Sequence, residues 1–229
     1  MIQVQFTYLG HSCFLLKSAA HSILFDPFIR GNELASKINP AEIHADFILV
    51  SHGHSDHIND CVEIASRTRA LVITNWEIHE WLQKQGITNT HPMNVGGNRD
   101  FPFGNLKVTY AAHSSSLPDG TYGGNPMGFI LEMNHRKIYY AGDTASTLEM
   151  QLIGQFDRPD IAILPIGNNF TMDYVDAVRA SEFIHCHKII GVHFDTFGFI
   201  KINHQEVNSY FESHGKTIRL PKIGETFEI

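Results

Sequence analysis

The chain has 229 residues, of which 43% are hydrophobic and 18% are charged, and its formal net charge is −7. This composition excludes intrinsic disorder, and no apolar run approaches the roughly 18 residues that cross a bilayer. A net negative charge without clusters of Lys and Arg argues against nucleic acid as a partner. We therefore expect a single domain over residues 1–229 that contacts neither a membrane nor nucleic acid.

The start of the chain and its cysteines indicate the compartment. Residues 1–5 lack the basic segment and apolar stretch of a secretory signal. Cys13, Cys61 and Cys186 are odd in number and show no Cys-x-x-Cys spacing, which favours reduced core residues over a disulfide framework. These features predict a cytoplasmic protein that acts on a small molecule, and they leave a homo-oligomer open.

The first half of the chain predicts a meander of short strands, followed by strands that alternate with helices. Three β-type runs are separated by turn residues, and two apolar runs of buried-strand type come later. The predicted strands cover residues 4–9, 12–17, 22–25, 47–50 and 70–74. The predicted helices cover residues 56–67 and 76–85, the second with Asn75 as its N-cap and Gly86 at its end.

The second half repeats this alternation. Its predicted strands cover residues 106–111, 128–133, 137–141, 161–164 and 188–192. Its predicted helices cover residues 148–155, 174–184 and 205–214. Hairpin-like pairs are too frequent for a purely parallel sheet, so the pattern predicts two mixed sheets packed face to face with helices outside.

A histidine-rich segment directly follows the fourth predicted strand. Residues 51–57 read Ser-His-Gly-His-Ser-Asp-His. Imidazole nitrogen and carboxylate oxygen are the usual protein ligands of Zn²⁺, Mn²⁺ and Fe²⁺. His52 and His54 are two residues apart, so their side chains can point the same way, whereas Asp56 and His57 begin the next helix. The segment therefore predicts two pairs of ligands for two metal ions.

Three more candidate ligands each end a predicted strand, where a scaffold naturally displays site residues. They are His113, Asp143 and His193. One histidine after a strand is as often structural as functional, but three such residues beside a histidine-rich segment support one another. All seven ligands would suit two five- or six-coordinate ions if one carboxylate bridges them. The pattern predicts two divalent transition-metal ions and favours Zn, with Mn, Fe and Ni as alternatives.

The histidine-rich segment resembles the His-x-His-x-Asp-His signature of the metallo-β-lactamase fold superfamily, and the three later ligands match that family's remaining motifs in order. The resemblance covers the whole chain. Six segments look more narrowly like its metal-dependent hydrolase branch, relatives of the ascorbate-6-phosphate lactonase: residues 8–14, 26–28, 91–94, 113–116, 141–144 and 165–172. The resemblance implies an α+β fold, a four-layer αββα sandwich with the metals at one edge between the sheets.

The resemblance also implies how the ligands divide and what they do. The first ion is expected on His52, His54 and His113, the second on Asp56, His57 and His193, with Asp143 as the bridge. A binuclear hydrolase of this kind attacks a small ester, lactone or phosphodiester with a metal-bridging hydroxide. Asp56 is the expected catalytic residue, which orients the hydroxide and accepts its proton.

Four further residues are candidates for substrate contact. His11 follows the first predicted strand, and Asn168, Asn169 and Thr171 follow the strand at residues 161–164. The alternative function is a non-catalytic metal binder or redox sensor on the same scaffold.

The segment after the last ligand departs from the family pattern. A Tyr-Asn-Thr-Phe-like stretch is expected there, but the chain reads Phe194-Asp195-Thr196-Phe197. A carboxylate close to the metals would change the charge of substrate that the site prefers. The sequence leaves the role of Asp195 open.

Overall fold

Fourteen strands form two seven-stranded sheets in the computed structural model, which describes residues 4–229. Residues 1–3 lie outside the described residues. They belong to the segment from which the absence of a secretory signal was predicted. The first sheet contains β1 (Gln5–Gly10), β2 (Cys13–Lys17), β3 (Ser22–Phe25), β4 (Phe47–Leu49), β5 (Leu71–Thr74), β6 (Thr90–Pro92) and β14 (Thr226–Glu228). Their order is β14-β1-β2-β3-β4-β5-β6. The sheet is mixed, because pairing is antiparallel from β14 to β3 and parallel from β3 to β6.

The second sheet is mixed in the same way. It contains β7 (Asn98–Phe101), β8 (Gly104–Tyr110), β9 (Met127–Met133), β10 (Arg136–Tyr140), β11 (Ile161–Pro165), β12 (Lys188–Val192) and β13 (Thr217–Arg219). Their order is β13-β12-β11-β10-β9-β8-β7. Strands β7 to β10 pair antiparallel, and β10 to β13 pair parallel.

Helices cover the outer face of each sheet, which confirms the four-layer αββα sandwich. They are α1 (Ser55–Ile58), α2 (Cys61–Thr68), α3 (Trp76–Lys84), α4 (Glu149–Leu152), α5 (Tyr174–Phe183) and α6 (His204–Ser213). An aromatic-rich core fills the space between the sheets and includes Phe14, Phe25 and Tyr140. Each sheet also has one further hydrophobic core between itself and its helices. None of the helices within residues 4–229 is long and apolar enough to cross a membrane.

Two predicted helices differ from the structure. The predicted helix 56–67 is two helices, α1 and α2, because the chain breaks at Asp60, whose carboxylate accepts backbone N–H bonds from Ile29 (2.5 Å) and Arg30 (3.1 Å). The predicted helix 148–155 is the short α4 followed by a π-helical turn, Ile153–Asp157. The break at Asp60 follows from contacts that helical periodicity does not report.

The sequence also missed four strands: β6, β7, β13 and β14. Each has three or four residues, and none of their residues is fully buried. They lie at the ends of the two sheets, where one face is solvated and the alternation of apolar and polar residues is weak.

The parallel strands decide where the functional site lies. Strands β10 and β12 flank β11 in the same direction, so the loops that follow them leave the same edge of the sandwich. The carboxyl ends of parallel strands are where such sheets display ligand-binding residues. The loop after β4, in the other sheet, reaches the same edge, where His57 contacts Asp143.

Candidate metal centre

All seven predicted ligands come together at this edge of the sandwich. Potential ligand atoms fall into sets whose members lie within 4.8 Å of one another. Within residues 4–229, the first set is His52, His54 and His113, the second set is His11, Asp56, His57 and His193, and a third group, His52, His57 and Asp143, links the two. The structure therefore assembles the predicted ligands and adds an eighth side chain, His11.

The first set combines His52 and His54 from the loop after β4 with His113 from the loop after β8. The Nε2 atom of His52 lies 2.9 Å from Nδ1 of His54. Ser51 Oγ donates to Asp26 Oδ2 (2.6 Å), so it accepts from Nδ1 of His52 (3.0 Å) and leaves Nε2 of His52 with its lone pair. Burial holds the pKa of His52 well below its usual value. The imidazole is thus neutral, which is the form that binds metal.

The second set contains His11, which the sequence placed at the substrate. Gly10 (φ +110°) and His11 (φ +57°) turn the chain between β1 and β2 and direct the imidazole inwards. Its Nδ1 lies 3.0 Å from Thr196 Oγ1 and its Nε2 lies 3.1 Å from Asp56 Oδ2. Burial lowers the pKa of His11 to about 3. A buried ring with both nitrogens engaged is suited to positioning Asp56 and is closed to a substrate.

Asp143 lies between the two sets. Its Oδ2 is 2.9 Å from His193 Nε2, 3.2 Å from His57 Nε2 and 3.7 Å from His113 Nε2. Burial alone would raise the pKa of Asp143, but His193 and His57 outweigh it and hold that pKa well below its usual value. The position fits the predicted bridge, because one carboxylate contacts members of both sets.

Buried atoms without partners show that these residues fit a metal ion. Within residues 4–229, Oδ1 of Asp143 and Nδ1 of His193 are buried without a hydrogen-bond partner. Burial alone would lower the pKa of His57, but the carboxylates of Asp143 and Asp26 outweigh it and raise that pKa. The donors are nitrogen and oxygen, as Zn²⁺ and similar ions prefer. Because His57 lies between two carboxylates, its surroundings favour a positive charge, either a proton on the imidazole or a bound metal ion.

Asp26 is the residue of the site that sequence reasoning missed. It is fully buried, with φ +40°, and accepts from His57 Nδ1 (2.8 Å), Tyr140 Oη (2.5 Å), Ser51 Oγ (2.6 Å) and Ser51 N (2.7 Å). The bond to Nδ1 directs Nε2 of His57 towards Asp143. Asp26 directly follows β3, so the rule that identified Asp143 would also have found it.

Comparisons with known proteins identify the family. A family model described as a β-lactamase superfamily domain matches residues 5–193. A UPF0173 metal-dependent hydrolase of Flavobacterium johnsoniae is 50% identical over 226 residues, covering 99% of this chain and 100% of the relative. The chain belongs to the metal-dependent hydrolases of the β-lactamase superfamily.

Two further relatives agree with this family. The hydrolase YtkL of Bacillus subtilis is 41% identical over 97% of this chain and 99% of its own length. The solved structure of Igni18, a metallo hydrolase of Ignicoccus hospitalis, superposes with a TM-score of 0.89 at 32% identity and covers 99% of this chain and 98% of that one. The predicted fold and enzyme class are therefore confirmed.

The hydrolase has a cavity of about 730 Å³ that is lined in part by its candidate metal ligands. The lining includes His54, Asp56, His113, Asp143 and His193, so members of both sets are reached from solvent. A cavity of this size suits a small organic molecule.

The loop after β11 enters this cavity with a different side chain from those predicted. Phe170 lines the cavity, whereas Asn168, Asn169 and Thr171 are not among the lining residues. Asn168 (φ +66°) and Asn169 (φ +61°) adopt left-handed backbone conformations in a tight turn, in which Asn168 N donates to Met172 O (3.0 Å). Asparagine tolerates this conformation, so these residues shape the turn that presents Phe170.

Proposed function

We propose that this hydrolase holds two divalent transition-metal ions, with Zn favoured, and hydrolyses a small ester, lactone or phosphodiester. The observation that carries the proposal is the place of Asp143, whose Oδ2 lies within 3.7 Å of histidines from both ligand sets. One carboxylate between two sets of imidazoles is the arrangement expected of a shared ligand in a two-metal site.

The proposed ligands divide as the two sets do. The first ion is assigned to His52, His54 and His113, the second to Asp56, His57 and His193, and Asp143 is shared. His11 lies beside the ligands of the second ion, with its Nε2 facing Asp56 and its ring centroid 4.1 Å from that of His193. When bound, the ions supply Lewis acidity and lower the pKa of water to near neutrality.

The chain itself supplies proton transfer and positioning. The side chain of Asp56 is 28% exposed and lines the cavity, so it can orient an attacking water and accept its proton. His11 holds Asp56 through Nε2, and Thr196 holds His11 through Nδ1. This chain of contacts limits the rotation of the Asp56 carboxylate, as preorganised catalysis requires.

The cysteines support a hydrolase over the alternative of a redox sensor. Cys13, Cys61 and Cys186 are all buried. Burial raises the pKa of each thiol, which keeps it in the unreactive protonated form. Redox-sensing cysteines are exposed and have lowered pKa values.

Metal analysis tests the ligand assignment. We expect close to two transition-metal ions per chain in wild-type protein purified without chelator. His52→Ala or His113→Ala should lose at least one ion, and Asp143→Ala should lose more than either of them, because Asp143 serves both sets. Wild-type protein without metal, or unchanged stoichiometry in Asp143→Ala, contradicts the proposal.

Asp56→Asn separates catalysis from metal binding. The amide keeps an oxygen in place but cannot accept a proton, so turnover should fall by about 10²-fold or more while most of the metal is retained. The measurement is kcat with aryl esters, lactones and a bis-aryl phosphodiester, paired with metal analysis. Wild-type turnover in Asp56→Asn, or no hydrolysis above the metal-free background by the wild type, would falsify the proposed reaction.

A further inference from the structure

None of the residues that line the cavity leading to the candidate metal centre is a lysine or an arginine. Three carboxylates line it, and because Asp56 and Asp143 are assigned to the ions, Glu33 is the one whose charge remains for the substrate. Sites that bind a phosphate or carboxylate substituent usually do so with Arg or Lys. Arg30 directly precedes the lining residue Gly31 in the sequence, but its guanidinium is paired with Asp60 and Glu63. The walls therefore disfavour an anionic substituent on the substrate.

Aromatic side chains form another part of the cavity lining. Phe170 comes from the loop after β11, and Phe197 and Phe199 come from the loop after β12. The rings of Phe170 and Phe199 pack edge to face with centroids 6.3 Å apart, although the two residues are 49% and 76% exposed. Aromatic rings held together in solvent at the mouth of a polar site are typical of a surface that a ligand covers.

Asp195 holds the loop that carries Phe197 and Phe199. Its Oδ1 accepts from Ile202 N (3.1 Å), and its Oδ2 lies 2.6 Å from His204 Nε2. Its own N–H donates to Ile200 O (2.8 Å). Both carboxylate oxygens are thus engaged by the loop and the start of α6. Asp195 is not among the residues that line the cavity, and its contacts hold the loop that contains Phe197 and Phe199.

We propose that the substrate of this hydrolase carries a neutral apolar group about the size of a phenyl ring, held by Phe170, Phe197 and Phe199, and no anionic substituent. This inference rests on the proposed function, which places the scissile bond at the metal ligands. The candidate metal ligands and the aromatic side chains belong to one cavity, because His54, His113 and Phe199 all line it. Glu33 at the same cavity makes a cationic substituent more acceptable than an anionic one.

Matched hydroxamic acids test the inference without turnover. Each probe chelates metal with the same group, so a difference in affinity reports the substituent alone. Calorimetric titration of the zinc-loaded protein should show benzohydroxamic acid binding about tenfold more tightly than acetohydroxamic acid, as burial of a ring predicts. 4-Carboxybenzohydroxamic acid should bind more weakly than benzohydroxamic acid, and Glu33→Gln should reduce that difference.

Variants of the aromatic lining provide the controls. In the double variant Phe170→Ala, Phe199→Ala, the tenfold preference for the phenyl probe should fall to about threefold or less, with unchanged zinc content. Phe156→Ala removes an exposed ring that does not line the cavity and should leave the preference unchanged.

The outcomes distinguish this inference from the proposed function. If both neutral hydroxamic acids bind equally, or if the carboxylated probe binds most tightly, the inference is overturned and the metal site stands. If the zinc-loaded protein binds neither, the proposed function is overturned together with the inference. Benzohydroxamic acid preferred in wild type and unaffected by the double variant would assign the preference to another surface and overturn the role of Phe170 and Phe199.

Discussion

At the scale of single residues, Asp26 illustrates how this site is organised behind its ligands. Its carboxylate is buried and accepts bonds from His57, Tyr140 and both donors of Ser51. Ser51 in turn bonds His52, so one carboxylate orients an imidazole in each ligand set. Such outer partners orient metal-binding histidines and increase their basicity.

Replacing Asp26 should weaken metal binding although Asp26 is not a ligand. In Asp26→Asn the amide cannot accept from all of these donors, so His57 and His52 lose their fixed orientation. We expect zinc affinity to fall by about 10- to 100-fold in a competition titration with a chromophoric chelator.

Two variants separate this effect from loss of folding. Asp46→Asn changes an exposed carboxylate that bonds only Ser22, and it should leave zinc affinity unchanged. Tyr140→Phe removes one donor to Asp26 and should cost less affinity than Asp26→Asn. Equal zinc affinity of Asp26→Asn and wild type, with both folded by circular dichroism, would show that Asp26 has no role at the metals.

At the scale of elements, the site depends on how the chain turns as it leaves each strand. Gly142, between β10 and Asp143, has φ +64°, and a Cβ atom there would lie 2.4 Å from the Met127 carbonyl oxygen. His193 (φ +57°) and Asp26 (φ +40°) also adopt left-handed backbone conformations just after their strands. Strain of this kind concentrates where a scaffold must aim a functional side chain.

Gly142→Ala should therefore displace Asp143. The added methyl group meets backbone that cannot move freely, and the positive φ is unfavourable for alanine. We expect a loss of about 2 kcal/mol or more in the free energy of unfolding, measured in urea, together with lost metal.

Gly120→Ala is the matched control for that variant. Gly120 also has a positive φ, +82°, but a Cβ there would meet nothing within 4 Å. It should lose only about 1 kcal/mol from backbone conformation and keep its metal. Similar losses in the two variants would mean that the contact with Met127 is unimportant.

At the scale of the whole molecule, the candidate metal centre contains residues from both sheets. The first sheet contributes the turn at His11 and the loop after β4, and the second contributes His113, Asp143 and His193. Bound ions would therefore link the two halves of the sandwich across one edge. A ligand that binds only the folded chain stabilises it by mass action.

Removal of metal should lower the melting temperature. A stabilisation of about 4 kcal/mol, expected at a metal concentration about 1,000 times Kd, corresponds to roughly 10 °C for a chain of this size. We expect a chelator to lower Tm by about that amount and added zinc to restore it, as measured by calorimetry. Asp143→Ala should show little response to the chelator, and a wild-type Tm that ignores the chelator would contradict metal linkage.

The sequence allowed the fold class and the seven principal ligand candidates to be predicted, because both follow from local patterns. Strand-forming apolar runs and the ligand chemistry of residues 51–57 can be recognised without knowing which segments pack together. Short edge strands such as β7 and the break at Asp60 could not be predicted, since their stability comes from partners distant in the chain. The role of His11 could not be predicted for the same reason, because its partners Asp56 and Thr196 are distant in the chain.

By itself, therefore, the sequence determined which residues are candidate metal ligands and that they lie in segments that follow strands. Only the tertiary structure decided that His11 is buried against Asp56, that Asp26 orients His57, and that Phe170 meets Phe199 at the cavity. Those contacts join residues 29 to 45 positions apart. The physical reason is that metal affinity resides in the chemistry of individual side chains, whereas orientation and substrate preference depend on distances between segments that only packing of the two sheets fixes.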